Sequence, residues 1–183
     1  MPYGHENIDQ IKQAKALKGR IKRFIQLELE DGMDPCWFIS FHYNDGKTNE
    51  EQVIKDIADL KNKLKREIHR RRDKRIKGAG LFPYPKMLVM NEVSHLGTGQ
   101  FHSHLITEAF PEKLNSQRMM ELLFKRILPG KVKALSRWKS VDVQRIHQDP
   151  EDLKRLASYL GKQVDFDYVA LDGFNSDFSR EER

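Results

Sequence analysis

Residues 86–107 read KMLVMNEVSHLGTGQFHSHLIT. Two apolar runs, Lys86–Val93 and Phe101–Thr107, flank Leu96-Gly-Thr-Gly-Gln100. Gly97 and Gly99 supply the turn chemistry, so the stretch predicts a β-hairpin. Residues two apart on a strand share a face. His102 and His104 therefore stand side by side on the second strand of the hairpin. A loop centred near Thr98 sets Glu92, on the first strand, across from residues 102–104 at a separation of about 5 Å.

The flanking sequence builds a sheet around this hairpin. Upstream, Trp37–Tyr43 (WFISFHY) is aromatic and β-branched and predicts a buried strand closed by Asn44-Asp45-Gly46. Before it, Asn7–Glu30 carries Ile8, Ile11, Ala14, Leu17, Ile21, Phe24 and Ile25 at helical spacing and stops at Asp31-Gly32. After it, Asn49 or Thr48 caps a long helix whose apolar stripe is Val53, Ile57, Leu60, Leu64 and Ile68. Downstream of the hairpin, Asn115–Leu128 predicts a helix stopped by Pro129-Gly130, and Ser140–Ile146 a fourth strand. Asp149 then caps a helix with Pro150 in its first turn, running to about Gln163. Val164–Arg183 has room for one more short strand. Apart from the first helix the order is β-α-β-β-α-β-α. The expectation is an α+β, ferredoxin-like antiparallel sheet backed by helices, with its first and third strands in the middle. It adds an N-terminal helix and a C-terminal helix that carries chemistry. Residues 1–183 form a single domain in this reading, with a core over about 36–170.

Composition sets outer limits. No apolar run reaches the length needed to cross a bilayer, and Met1–Lys18 lacks a signal peptide's apolar stretch. Cys36 is the single cysteine, which excludes an intrachain disulfide and an all-cysteine zinc site. An intracellular, cytoplasmic protein with no membrane partner is expected. The formal charge of +6 is unevenly spread: Lys61–Lys77 reads KNKLKREIHRRRDKRIK. Arg70, Arg71, Arg72 and Lys74 are candidates to grip a phosphate backbone. A solvated helix face is the plain alternative. Gly46-Lys47-Thr48 imitates the end of a phosphate-binding loop, but the glycine needed five residues upstream is Phe41. No helicase motor is expected.

The chemistry concentrates at three places. His102, His104 and Glu92 offer two imidazoles and a carboxylate, a set that suits Mg²⁺ or Mn²⁺ better than structural zinc. His95 is a rival ligand, but its position in the hairpin loop argues for the surface. In the last helix Leu153, Leu156, Ala157 and Leu160 form the buried stripe, and Tyr159 falls beside it. Lys162 and Gln163 flank Tyr159 one turn on. A tyrosine on that border is held firmly with its hydroxyl outward, and Lys162 is placed to stabilise a phenolate or a phosphate. The plain alternatives are a surface carboxylate for Glu92 and a packing role for Tyr159.

Taken together these segments resemble the HUH endonucleases, above all the replication-initiator (Rep) branch of rolling-circle replication. Phe38-Ile-Ser-Phe-His-Tyr43 resembles the family's first motif, His102-Ser-His104 its paired histidines, and Tyr159-Leu-Gly-Lys162 its Tyr-x-x-Lys motif. The resemblance spans about Trp37–Gln163. It implies that Glu92 completes a metal site with His102 and His104, and that Tyr159 is the single nucleophile. It further implies nicking and rejoining of single-stranded DNA or an origin hairpin through a 5′-phosphotyrosine link, on a plasmid or virus, with unwinding left to a host helicase. Two features depart from the pattern. Ser103 stands where the family usually has a bulky apolar residue. Gln163 gives the Tyr-x-x-x-Gln spacing of single-tyrosine HUH transposases, in which that glutamine binds metal, so a transposase is one alternative. A non-catalytic ferredoxin-like nucleic-acid-binding module is another, with Trp138 or Phe101 stacking on bases.

Overall fold

The structure, a computed structural model, describes residue 16 and residues 19–43, 49–70, 84–93, 100–128, 138–164, 169–171 and 176–177. A helix over residues 19–27, α1, runs into a π-helical turn at Glu28–Gly32. Strand β1 is Pro35–Tyr43, helix α2 Glu50–Arg70, strand β2 Met87–Val93 and strand β3 Phe101–Glu108. Helix α3, Gln117–Leu122, continues as a π-helical turn at Leu123–Ile127. Strand β4 is Trp138–Arg145, helix α4 Pro150–Val164 and strand β5 Val169–Leu171. The fold is α+β. Among the described residues no helix is long and apolar enough to cross a membrane. The expected helix segment Asn7–Lys15 and the loop Leu96–Gly99 lie outside the described residues.

Local signals explain most boundaries. Asn49 Oδ1 accepts a hydrogen bond from the Gln52 amide at 2.9 Å and starts α2. Asp149 Oδ1 accepts from the Glu151 and Asp152 amides at 3.0 and 2.9 Å and starts α4. Helix α3 starts later than the sequence predicts. Asn115 Oδ1 is occupied by Trp37 Nε1 at 2.7 Å and the Phe110 amide at 3.3 Å, so Ser116 makes the cap instead.

The strands form one antiparallel sheet in the order β4-β1-β3-β2-β5. β1 and β3 are interior, and the short β5 borders β2. Alternation along the strands sends the two faces to two apolar layers. One face carries Trp37, Ile39, Phe41 and Tyr43 from β1, Met87 and Val89 from β2, and Leu105 from β3. It is covered by the α2 stripe Val53, Ile57, Leu60, Leu64 and Ile68, and by Met120, Leu123 and Phe124. Leu88, Met90 and Ile106 on the other face meet Ile25 and Leu29 from the N-terminal helix and Leu160 from α4. This second layer covers only one end of its face.

Each fully buried aliphatic or aromatic side chain contributes about 1.5–3 kcal/mol through removal from water. Trp37 is fully buried and also donates to Asn115, so it ties β1 to the start of α3. Trp37→Ala should cost about 3–5 kcal/mol of stability, measured by urea unfolding. A loss below about 1 kcal/mol, the range of surface changes, would show that this face is not the main core.

Candidate functional site

The half of the second face that the apolar layer leaves uncovered is polar. Strand register arranges it in rows. Glu92 of β2 pairs with His102 of β3, which pairs with His42 of β1. In the next row Met90 pairs with His104, and His104 with Ser40. Ser40 in turn pairs with Asp142 of β4. These polar side chains, with Phe38 and Gln144, line an open cleft of about 500 Å³ whose remaining wall is Arg155, Leu156 and Tyr159 of α4.

Glu92 is the hub. Its Oε1 lies 3.3 Å from His102 Nδ1 and 3.2 Å from His104 Nε2. Burial pushes the Glu92 carboxyl up. The hydrogen bonds and charges of His102 and His104 outweigh it and hold the group at about 2, below its ordinary 4.5. Glu92 is therefore an ionised acceptor, and both rings donate to it. His104 is buried, at 3% exposed, and its second nitrogen, Nδ1, lies 2.9 Å from Ser40 Oγ. Phe38 stacks on the His104 ring, with centroids 5.3 Å apart and planes 11° from parallel. His42 lies 4.5 Å from His102, centroid to centroid. Burial, then repulsion from His102 and His104, pushes His42 below its ordinary value.

Tyr159 stands at the rim. It is 46% exposed, and its ring meets His104 at 6.0 Å and Phe38 at 6.1 Å, nearly perpendicular to both. Leu160 beside it is fully buried, while Leu153, Leu156 and Ala157 pack against the same layer. The helix thus pins Tyr159 from one side and leaves the other side to solvent. The other described tyrosines are differently placed. Tyr43 is fully buried on the opposite face. Tyr84 packs there too, with its hydroxyl on Met87 Sδ, and burial pushes its phenol far above its ordinary value. Tyr3 and Tyr168 lie outside the described residues.

The sequence expectations fare unevenly. Glu92, His102, His104 and Tyr159 share one cleft. Ser40, His42, Asp142, Gln144 and Arg155 also border it, beyond the residues that the sequence marks; for Ser40 and His42 the signal is their place two and four residues after Phe38 on one strand. Phe101 packs against the core on the opposite face, because it alternates with His102, so it offers no stacking surface in the cleft. Arg71, Arg72, Lys74, His95 and Gly46-Lys47-Thr48 lie outside the described residues, as do the side chains of Arg70, Trp138, Lys162 and Gln163.

The donor chemistry of His102, His104 and Glu92 suits a divalent cation: two imidazole nitrogens within 3.3 Å of one carboxylate oxygen. Among the described residues, however, no three His, Cys, Asp or Glu side chains are arranged to hold a metal ion. The three groups are closed on one another by hydrogen bonds, and a cation would take the place of the bridging protons. No protein-family model matches the chain, and neither the curated proteins nor the solved structures contain a match.

The Glu92 carboxyl should titrate near 2, read by ¹³C NMR. Because its folded-state value lies below the ordinary 4.5, its contribution to stability is present above pH 4.5 and is lost as pH falls toward 2. Replacing both His102 and His104 by alanine should move the carboxyl above 4.5, since burial then acts unopposed. A value near 4.5 in the wild type would show that the hydrogen bonds are absent.

Proposed function

We propose that this protein nicks and rejoins single-stranded DNA through Tyr159, as a rolling-circle replication initiator of the HUH endonuclease type. One observation carries the reading. An exposed tyrosine on a firmly packed helix shares a cleft with two imidazoles and an ionised carboxylate, and its ring rests against one of those imidazoles. The strand order β4-β1-β3-β2 agrees with a ferredoxin-like β-α-β-β-α-β sheet, the scaffold that the motifs imply.

His102, His104 and Glu92 would hold Mg²⁺ or Mn²⁺, which polarises a phosphodiester oxygen when bound. Until a cation takes the place of the bridging protons, the hydrogen bonds of Glu92 to the two rings hold the floor of the cleft in order. Phe38 and Tyr159 shield the His104 ring from water. The Tyr159 oxygen attacks phosphorus and forms the O–P bond while the bond to the 3′-oxygen breaks. The phenol proton leaves to solvent, and the departing oxygen takes one up as a 3′-hydroxyl. The 5′-phosphotyrosine keeps the bond energy, so a later 3′-hydroxyl reverses the step without ATP. Lys162, one turn beyond Tyr159, supplies positive charge for the phenolate, and Arg70, Arg71, Arg72 and Lys74 grip the flanking backbone. The strand must be unpaired at the cut, because a duplex hides its phosphates from a site on a sheet face. Unwinding falls to other machinery in the cell, such as a host helicase. The contact of Glu92 with both histidines supports Glu92 as the third ligand.

The test is incubation with pooled single-stranded DNA and Mn²⁺, followed by mass spectrometry of the covalent adduct. DNA should be found on Tyr159. Tyr159→Phe should remove adduct and cleavage but keep DNA binding. His102→Ala and His104→Ala should each remove cleavage. Lys162→Ala should slow it by roughly 100-fold, the order lost with one charge-stabilising group. DNA on any other tyrosine would overturn the assignment. DNA binding without Mn²⁺-dependent cleavage would favour a non-catalytic module.

Charge reversal across Arg70, Arg71, Arg72 and Lys74 should weaken binding to all sequences and flatten its salt dependence by a slope of roughly 0.7 per lost contact. Fluorescence anisotropy across a salt series measures this. Unchanged binding would mean that the segment is only a solvated helix end.

A further inference from the structure

The β4 side of the cleft carries a hydrogen-bonding pattern that a phosphate backbone does not use. Asp142 and Gln144 stand two apart on β4, so they share a face, and both line the cleft whose helical wall is Arg155, Leu156 and Tyr159. Gln144 Nε2 donates to Asp142 Oδ2. A carboxylate only accepts, so this bond fixes the amide: its nitrogen lies toward Asp142 and its oxygen away. Oδ1, Oδ2 and the second Nε2 hydrogen then follow one another, two acceptors and a donor. A carboxylate repels the phosphates of a bound strand, so its place in the cleft calls for a part of the ligand rich in N–H.

Unpaired bases have such parts, and they differ. The pairing edge of guanine presents the N2 amino group, N1–H and O6 in that order, two donors and then an acceptor. Guanine alone engages all three positions of the Asp142–Gln144 pair. Adenine and cytosine, with an amino donor beside a ring acceptor, engage two. Thymine sets a carbonyl against Oδ1. In a duplex this edge is taken up by the partner base, whereas an unpaired strand leaves it open. We propose that Asp142 and Gln144 read an unpaired guanine beside the nucleotide that Tyr159 attacks. The assignment rests on single-stranded DNA as the substrate of the cleft. Arg155 belongs with the pair. It lies one turn before Tyr159 on the same face of α4, about 6 Å along the axis, and so meets the phosphate next to the cut. Its exposed ion pair with Asp152, at 3.3 Å, uses one guanidinium nitrogen and is readily exchanged for a phosphate.

The experiment uses a pool of random-sequence single-stranded DNA in EDTA, so that no metal enters. Strands retained by wild type are sequenced, and their affinities are measured by anisotropy. Wild type should enrich guanine at one position by roughly 5-fold or more, the lower end for one bidentate base contact. Asp142→Ala and Gln144→Ala should bind the pool with that preference reduced or lost. Inosine, which lacks the N2 amino group, should weaken wild type by a similar factor when it replaces that guanine, and should leave Asp142→Ala unaffected. Arg155→Ala should weaken all sequences alike, lower the salt slope by roughly 0.7 and keep the guanine preference. Tight binding without a preferred guanine, or a preference that survives Asp142→Ala, would overturn the proposal and leave the nicking reading standing. An unchanged salt slope in Arg155→Ala would remove Arg155 from it. A wild type that binds no single-stranded DNA would bring down the reading of the cleft, and the proposal with it. Should a variant fail to fold, the inosine measurement on wild type decides, since equal affinity for guanine and inosine overturns the contact with Asp142.

Discussion

Strand register is the constraint on which the rest depends. Pairing Glu92 with His102 and His102 with His42 builds one row, and pairing His104 with Ser40 builds the next. A slip of one residue in β3 would turn both histidines into the core and bring Ser103 and Leu105 to the cleft. Two apolar layers forbid the slip. Ile39, Val89 and Leu105 are committed to one face, and Leu88, Met90 and Ile106 to the other. The polar rows inherit their order from the apolar ones. Within the core itself, buried Ser103 donates to buried Asn91 at 2.7 Å, so even the polar pair on the packed face is satisfied across the same two strands.

The cleft exists because α4 and the N-terminal helix cover only one end of their face. Leu160 anchors α4 in the second layer, and Phe38 marks the boundary where packing gives way to chemistry. Phe38 stacks on His104, and Tyr159 leans edge-on against both rings. Such ring pairs contribute about 0.5–1.5 kcal/mol each beyond area burial. Apolar contact thus orients the polar groups, while one side of Tyr159 stays open to a ligand.

Much of this was legible in sequence because it is local. The hairpin, the i and i+2 histidines, the Asn49 and Asp149 caps and the stripe from Val53 to Ile68 all depend on neighbours within a turn or a strand pair. What escaped depends on distant residues. Asn115 reads as a helix start, yet its side chain is drawn to Trp37, 78 residues earlier. Ser40 and His42 sit in an aromatic run that reads as buried strand, and the pairing with β3 sets them beside His104 and His102. Phe101 looked available for stacking, but its alternation with His102 commits it to the core. Asp177 illustrates the same limit at the other end of the chain. It exchanges bonds with the Met87 backbone at 2.7 and 3.1 Å and pairs with Lys61 of α2 at 3.1 Å, none of which spacing could foretell.

That attachment of Asp177 has a consequence for how the molecule behaves in company. An open strand edge is a template for pairing with another chain, and it invites aggregation. Along β2 the template is closed: β5 pairs with its far end, and Ser176 and Asp177 take the amides of Val89 and Met87. Among the described strands the outer edges are the three-residue β5 and the longer β4. On β4, Lys139, Asp142, Gln144 and Arg145 are exposed, and the register breaks between His42 and Tyr43 where β4 begins. Charge and irregularity guard the β4 side, so that edge offers no flat apolar border on which a second copy can grow.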